Sequence, residues 1–222
     1  MTSAGTLVFT DVDETLIRPK SLFDFLEFFF TGRYGDAGAR HARATRQHLA
    51  RLQRAGAGRE EANRAYYGAW RGQPAGEVAE WGRRWFDERR AGGAFYLPRT
   101  RAALRRHREE GAVLVLVSGA FDAVLDPIAA DIGAAHVRGT RPHLRDGLYT
   151  GAVIGPPVIG EGKRAAVRAV LRGYPHVAAD DCYAYGDHLS DLPMLTEVGR
   201  PVVVGGSREL SAALPAADVL PY

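Results

Sequence analysis

The stretch Leu7-Val8-Phe9-Thr10-Asp11-Val12-Asp13-Glu14-Thr15-Leu16 decides how the rest of this chain is read. An apolar run stops at two aspartates one residue apart, followed by a threonine. On an extended backbone, side chains two positions apart point the same way. Asp11 and Asp13 are therefore expected to leave the tip of a strand toward one site. Carboxylates held that close repel each other unless a cation lies between them or one keeps its proton. The first escape calls for a hard, oxygen-seeking metal such as Mg2+; the second calls for a general acid with a raised pKa. A plain polar turn uses the same residue types, because Asp and Thr are ordinary turn and cap residues. The remainder of the chain has to choose between them.

With 222 residues, 46% of them hydrophobic and 25% charged, the composition is globular and the length suits one domain with a modest insertion. The longest apolar runs fall short of a membrane span. No basic patch precedes an apolar segment at the N-terminus, so no signal peptide is expected. Cys182 is the sole cysteine, which excludes an internal disulfide and points to the cytoplasm. It reads as a small buried hydrophobe. The formal charge is +3, and Lys20 and Lys163 are the only lysines among the basic residues. Arg40, Arg43, Arg46, Arg51 and Arg54 read as a solvated helix face. Basic helical stripes do bind phosphate backbones, but so small an excess with no recognition motif does not point to nucleic acid.

Further strand-like runs recur at Val113–Val117, Tyr183–Tyr185 and Val202–Val204, separated by helical patterns. Short β-branched or aromatic runs of this kind read as parallel strands covered on both faces. The expected fold is α/β, a doubly wound, Rossmann-like parallel sheet. Between the first two strands lies a long segment with no strand signal. Ser21 followed by Asp24 resembles a helix start with Ser21 as N-cap. Leu22, Phe23, Phe25, Leu26, Phe28, Phe29 and Phe30 then make that helix apolar nearly all round. Gly32, Gly35, Gly56, Gly58, Gly72 and Gly92-Gly93 divide the rest of the segment into several helices, with Tyr66, Tyr67, Trp70, Trp81, Trp85 and Phe86 as their buried stripes. Residues 19–94 are expected to form an inserted helical unit, and residues 1–18 with 95–222 the α/β core. Asp146-Gly147 predicts a hairpin, because Asp-Gly favours a primed turn between strands.

Ligands of open α/β sheets bind beyond the carboxyl ends of the strands. The first strand ends at Asp11 and Asp13, the second at Ser118-Gly119, and a later one at Gly186-Asp187-His188-Leu189-Ser190-Asp191. Ser118 offers a hydroxyl to a phosphate oxygen, and Gly119 lets a backbone N–H come close. Asp187 and Asp191 extend an oxygen-rich metal site that starts at Asp11. Lys163 opens a helix and offers a compact positive charge. His188 reads as a loop residue.

Together, Asp11-Val12-Asp13-Glu14-Thr15, Val117-Ser118-Gly119, Lys163 and Gly186-Asp187 with Asp191 resemble, in order and spacing, the four signature motifs of the haloacid dehalogenase superfamily. Ala120-Phe121, the Asp146-Gly147 hairpin and Ser190-Asp191-Leu192-Pro193 are similar to its phosphoserine phosphatase-like branch, in which a helical cap is inserted after the first motif. The resemblance implies that Asp11 forms an aspartyl-phosphate and that Asp13 acts as general acid and then base. It implies Mg2+ held by Asp11, the backbone carbonyl of Asp13 and Asp187. Asp191 would stand beside the metal, on a ligand water or holding Lys163. Thr15, Ser118, Gly119 and Lys163 would hold the phosphoryl oxygens.

Two positions depart from that branch. Lys20 stands where those enzymes carry a glutamate that reads an ammonium group, and Ser190 replaces an asparagine. A cation at position 20 favours a carboxylate or second phosphate over an ammonium. The expected activity is hydrolysis of a small phosphorylated metabolite other than phosphoserine, by a monomer or homodimer without a membrane partner. Its rivals are phosphoryl transfer to another alcohol, and a non-catalytic domain that binds a phosphorylated ligand or nucleic acid.

Overall fold

A computed structural model describes residues 5–222. Its centre is a six-stranded, all-parallel sheet in the order β3-β2-β1-β6-β7-β8. The strands are β1 (Leu7–Thr10), β2 (Val113–Ser118), β3 (His136–Gly139), β6 (Tyr183–Gly186), β7 (Arg200–Val204) and β8 (Asp218–Leu220). β1 lies in the middle, with β2 on one side and β6 on the other, so all four of its residues are buried. The period of two then sorts side chains to the two faces. Val8, Leu114 and Leu116 join one apolar cluster, while Leu7, Phe9, Val115 and Val117 join the other. The chain leaves β1 toward β2 and β3, and later returns to build β6, β7 and β8 on the opposite side. This order reverses next to β1, at the kind of switch point where open α/β sheets leave a crevice.

The helices that cover the sheet are α4 (Pro98–Glu109), α5 (Asp122–Ile132), α6 (Glu161–Arg172), α7 (Leu192–Leu195) and α8 (Arg208–Ala213). α5 begins only at Asp122, because Phe121 is still extended. The predicted hairpin is present as β4 (Arg141–Arg145) and β5 (Leu148–Ile154). Asp146 and Gly147 both have positive φ, 51° and 76°, as a primed turn requires.

Between β1 and α4 stand α1 (Ser21–Arg54), α2 (Arg59–Gly68) and α3 (Ala75–Ala91). α1 is two arms folded back on each other. Gly35 breaks it with φ 55° and ψ −136°, a conformation open to glycine. Beyond the break, Arg46 reaches Glu27 at 3.1 Å and the ring of His41 lies 4.3 Å from that of Phe30. Gly38 lets the second arm return, since a methyl there would run into the Phe30 carbonyl. Gly32, expected as a further break, stays helical and leaves room for the Trp81 ring. Ser21 is likewise not the N-cap. Lys20 holds that position, Ser21 is the first helical residue, and no side chain caps the end. Asp24 instead accepts hydrogen bonds from Trp85 Nε1 at 2.8 Å and Arg89 Nε at 2.8 Å, tying α1 to α3.

These helices pack directly on the sheet side. Phe25, Tyr67 and Trp70 approach Phe121 with ring centroids 6.1, 5.6 and 5.4 Å apart. The hairpin joins them through backbone bonds from Gly72 N to the Tyr149 carbonyl (2.7 Å) and from Tyr149 N to the Gln73 carbonyl (3.0 Å). No helix among the described residues is long and apolar enough to cross a membrane. The Arg40 to Arg54 stripe is exposed, as a solvated face should be, and Cys182 is buried.

Candidate active site

β1 ends one residue before Asp11, whose N–H still bonds the Tyr185 carbonyl of β6 at 2.9 Å. The chain then turns sharply. Leu16 N and Ile17 N both donate to the Val12 carbonyl at 2.9 Å, and Glu14 takes a positive φ of 59°. For a residue with a Cβ that conformation is strained. The two aspartates have different partners. Asp11 faces Lys163, whereas the Asp13 Oδ2 atom accepts the Ser21 N–H at 3.0 Å at the start of α1. Both residues nonetheless line one cavity, the common site expected of alternate positions at a strand tip.

That cavity measures about 500 Å³. Asp11, Asp13, Ser118, Gly119, Lys163 and Asp187 line its floor, so the strand tips expected to share a rim do share one. Lys163 is 3% exposed and places Nζ at 2.6 Å from both Asp11 Oδ1 and Asp191 Oδ1. The second oxygen of Asp191 accepts the N–H groups of Asp187 at 3.1 Å and His188 at 3.0 Å. Asp191 is fully buried. Both its oxygens are engaged, so it holds Lys163 and the Asp187 loop in place. Gly186 permits this approach, because a Cβ there would stand 2.6 Å from that of Asp191.

Ligand oxygens of Asp11, Asp187 and Asp191 lie within 4.8 Å of one another, an arrangement able to hold a divalent metal. Asp11 and Asp187 each keep an oxygen outside the hydrogen bonds just described, and such carboxylates suit a hard cation. Thr15 differs from expectation. It is fully buried, and its hydroxyl donates to Asp187 Oδ1 at 2.7 Å, so it orients an acid rather than facing the cavity. Asp13 Oδ1 is buried with no hydrogen-bond partner.

Burial sets the electrostatics. It pushes Asp11 up to about 8 against the pull of Lys163, with Asp191 and Asp187 adding to the rise. Burial also pushes Asp13 up to about 6, against the Ser21 hydrogen bond, and Asp187 up to about 6, aided by Asp191. For Lys163 burial works against the charge, yet Asp11 and Asp191 outweigh it and raise the ammonium above the ordinary lysine range. Ionising every acid would leave one cation among four carboxylates, an arrangement that draws in positive charge.

Lys20 stands at the cavity mouth, exposed, with Nζ 3.2 Å from Glu14. Three polar lining residues escape the reading of the sequence: Gln53, Arg59 and Asn63. Asn63 carried a signal, for it lies three and four residues before Tyr66 and Tyr67 on a buried helix face where asparagine is uncommon. Arg59 opens α2 after the Gly56–Gly58 break and looked like any other surface arginine.

A doubly wound sheet carries acids, a serine and a lysine at its switch point, where ligands of such sheets bind, and three of the acids are placed so that they could hold a metal ion. More specifically, residues 8–196 match the haloacid dehalogenase-like hydrolases, and the chain belongs to that family. A probable phosphatase of Mycobacterium tuberculosis is 42% identical over 106 residues, which span 47% of this chain and 36% of that protein. An inhibition of morphological differentiation protein of Streptomyces azureus is 32% identical over 213 residues, 92% of this chain and 73% of its own length. Among solved structures, a protein of unknown function from Bordetella pertussis superposes with a TM-score of 0.83 at 28% identity, covering 98% of both chains. A phosphoserine phosphatase solved as a phospho-aspartyl intermediate analogue shares the fold, with a TM-score of 0.68 at 18% identity over 98% of this chain and 93% of that one.

Proposed function

We propose that this protein is a Mg2+-dependent phosphatase of small phosphomonoesters, with Asp11 as nucleophile and Asp13 as general acid and base. The observation that carries the reading is the Asp11 carboxylate, fixed by Lys163 at 2.6 Å and facing Asp187 across the switch point. Phosphatase names among the relatives support it.

An oxygen of Asp11 attacks phosphorus in line with the leaving alkoxide, forming an aspartyl-phosphate as the ester P–O bond breaks. The proton on Asp13 passes to the alkoxide. Asp13 then takes a proton from the water that attacks the aspartyl-phosphate, and Asp11 is released with inorganic phosphate. A value near 6 suits both roles, because the group is close to half protonated under mildly acidic conditions. Lys163, Ser118 and the Gly119 N–H receive the charge that grows on the phosphoryl oxygens. Mg2+, held by Asp11, Asp187 and the Asp13 carbonyl, would supply Lewis-acid charge that eases the approach of one anion to another. Asp191 would keep Lys163 and the Asp187 loop in register.

Residues 19–94 serve as a cap over the core formed by 1–18 and 95–222, and specificity lies on its inner surface. Leu22, Phe23 and Leu49 line an apolar wall there, while Gln53, Arg59 and Lys20 provide polar or cationic ends. This lining suits a leaving alcohol with an apolar body and a neutral or anionic end, and it disfavours phosphoserine, whose ammonium would meet Lys20. The single cysteine agrees with a cytoplasmic setting. Phosphate release across a panel of metabolite phosphomonoesters, with and without a chelator, tests the reading. Turnover of at least one ester that stops on chelation is expected. No release from any ester, or release indifferent to chelation, contradicts it, and transfer to added alcohols would point to a phosphotransferase.

A further inference from the structure

We propose that Asn63 and Tyr67 of the α2 helix are positioning residues that aim the Ser118 hydroxyl at the phosphoryl group; this rests on the phosphatase reading above. Both donate to one atom, the Gly119 carbonyl oxygen, Asn63 Nδ2 from 3.0 Å and Tyr67 Oη from 2.8 Å. A carbonyl oxygen has two lone pairs, so the two cap side chains saturate it.

The same planar peptide that ends in this oxygen carries the Ala120 N–H on its other side. That N–H donates to Ser118 Oγ at 3.2 Å. Fixing the oxygen therefore fixes the direction of the N–H. With one lone pair of Ser118 Oγ occupied by Ala120, the hydroxyl proton is turned away from the loop. Ser118 is buried except where it lines the cavity, so the proton is left to point there.

The relay is braced from behind. The Thr140 hydroxyl donates to Asn63 Oδ1 at 3.4 Å and accepts from the Val158 N–H at 3.0 Å. These contacts decide which end of the Asn63 amide is the oxygen, and they leave Nδ2 facing Gly119. Thr140 N also holds the Ala120 carbonyl at 2.8 Å. Asn63 is 6% exposed and Tyr67 1%, a burial that polar groups tolerate when bonded. Gly119 makes the approach possible, since a Cβ there would stand 3.1 Å from Asn63 Nδ2 and 3.0 Å from Ile159 Cγ1. Seating α2 on this loop thus prepares a phosphate-facing hydroxyl some distance from the cap itself.

A kinetic cycle on p-nitrophenyl phosphate tests the relay, with Tyr67→Phe and Asn63→Leu each made alone and combined with Ser118→Ala. Each cap variant is expected to lower kcat about tenfold, the value of roughly one hydrogen bond, with KM little changed. Ser118→Ala is expected to lower kcat about 100-fold, as loss of an oxyanion-type donor does. In the Ser118→Ala background the cap substitutions should then lower kcat no further. Cap variants with a lowered Tm but wild-type kcat would overturn the proposal, as would losses that simply multiply with that of Ser118→Ala. A wild-type protein unable to release phosphate from any ester would instead overturn the phosphatase reading on which the relay depends.

Discussion

Lys163 neutralises only part of the charge at the strand tips, and the buried acids respond by holding protons. Asp13 and Asp187 are both raised to about 6, so the folded chain binds protons that the unfolded chain releases. The sign comes from linkage: their contribution to stability is greatest at low pH and is lost as pH rises from the ordinary aspartate range through about 6. A divalent cation competes with those protons. Saturating Mg2+ is therefore expected to raise Tm more at about pH 8 than at about pH 5.5, because fewer protons must be displaced. Equal shifts at both pH values would remove the acid cluster as the binding site. At this scale the sequence was informative wherever a polar residue ended an apolar strand, as at Asp11, Ser118 and Asp187. It singled out Thr15 as a phosphate ligand but did not reveal its hydrogen-bond partner, which lies 172 residues away in Asp187. It was silent on Arg59 and Gln53, which resemble surface residues until α1 folds back over the cavity.

The central strands were legible because both faces are buried and their residues are almost wholly apolar. β3 (His136-Val137-Arg138-Gly139) and β8 (Asp218-Val219-Leu220) were not, since they close the two edges of the sheet with half-buried or exposed residues. Edge position, which no local pattern reveals, decides their composition. Glycine told more about the helices. Gly35 was readable as a break, but its consequence, two antiparallel arms, needed the packing of Phe30 on His41. Gly82 on α3 faces the Ala123 carbonyl of α5, where an added methyl would collide with backbone. Gly82→Ala is expected to destabilise the fold by about 1–3 kcal/mol through overpacking. Gly76→Ala, on the same helix but in open space, should be neutral or slightly stabilising. Thermal or denaturant unfolding of the two variants measures the contrast, and similar losses in both would show that α3 is not seated on α5 as described.

At the scale of the molecule, the inserted helices and the sheet share one apolar cluster that runs from Val8 and Leu116 through Phe121 to Phe25 and Trp70. The hairpin adds backbone bonds between the two layers. The roof of the cavity is thus held to its floor by the core itself, and Asn63 and Tyr67 reach from that roof to the Ser118–Gly119 loop. The motifs announced the floor, because they consist of particular polar residues at strand ends. They did not announce the roof, where size, polarity and reach matter more than identity.

In the proposed mechanism Asp11 becomes phosphorylated beside a cation held with Asp187. Rapid acid quenching during turnover, followed by peptide mass analysis, tests it most directly. One phosphoryl group is expected on the peptide containing Asp11, absent when the cation is chelated and absent in Asp11→Asn. A turning-over enzyme with no such adduct, or with the phosphoryl group on another residue, would contradict it.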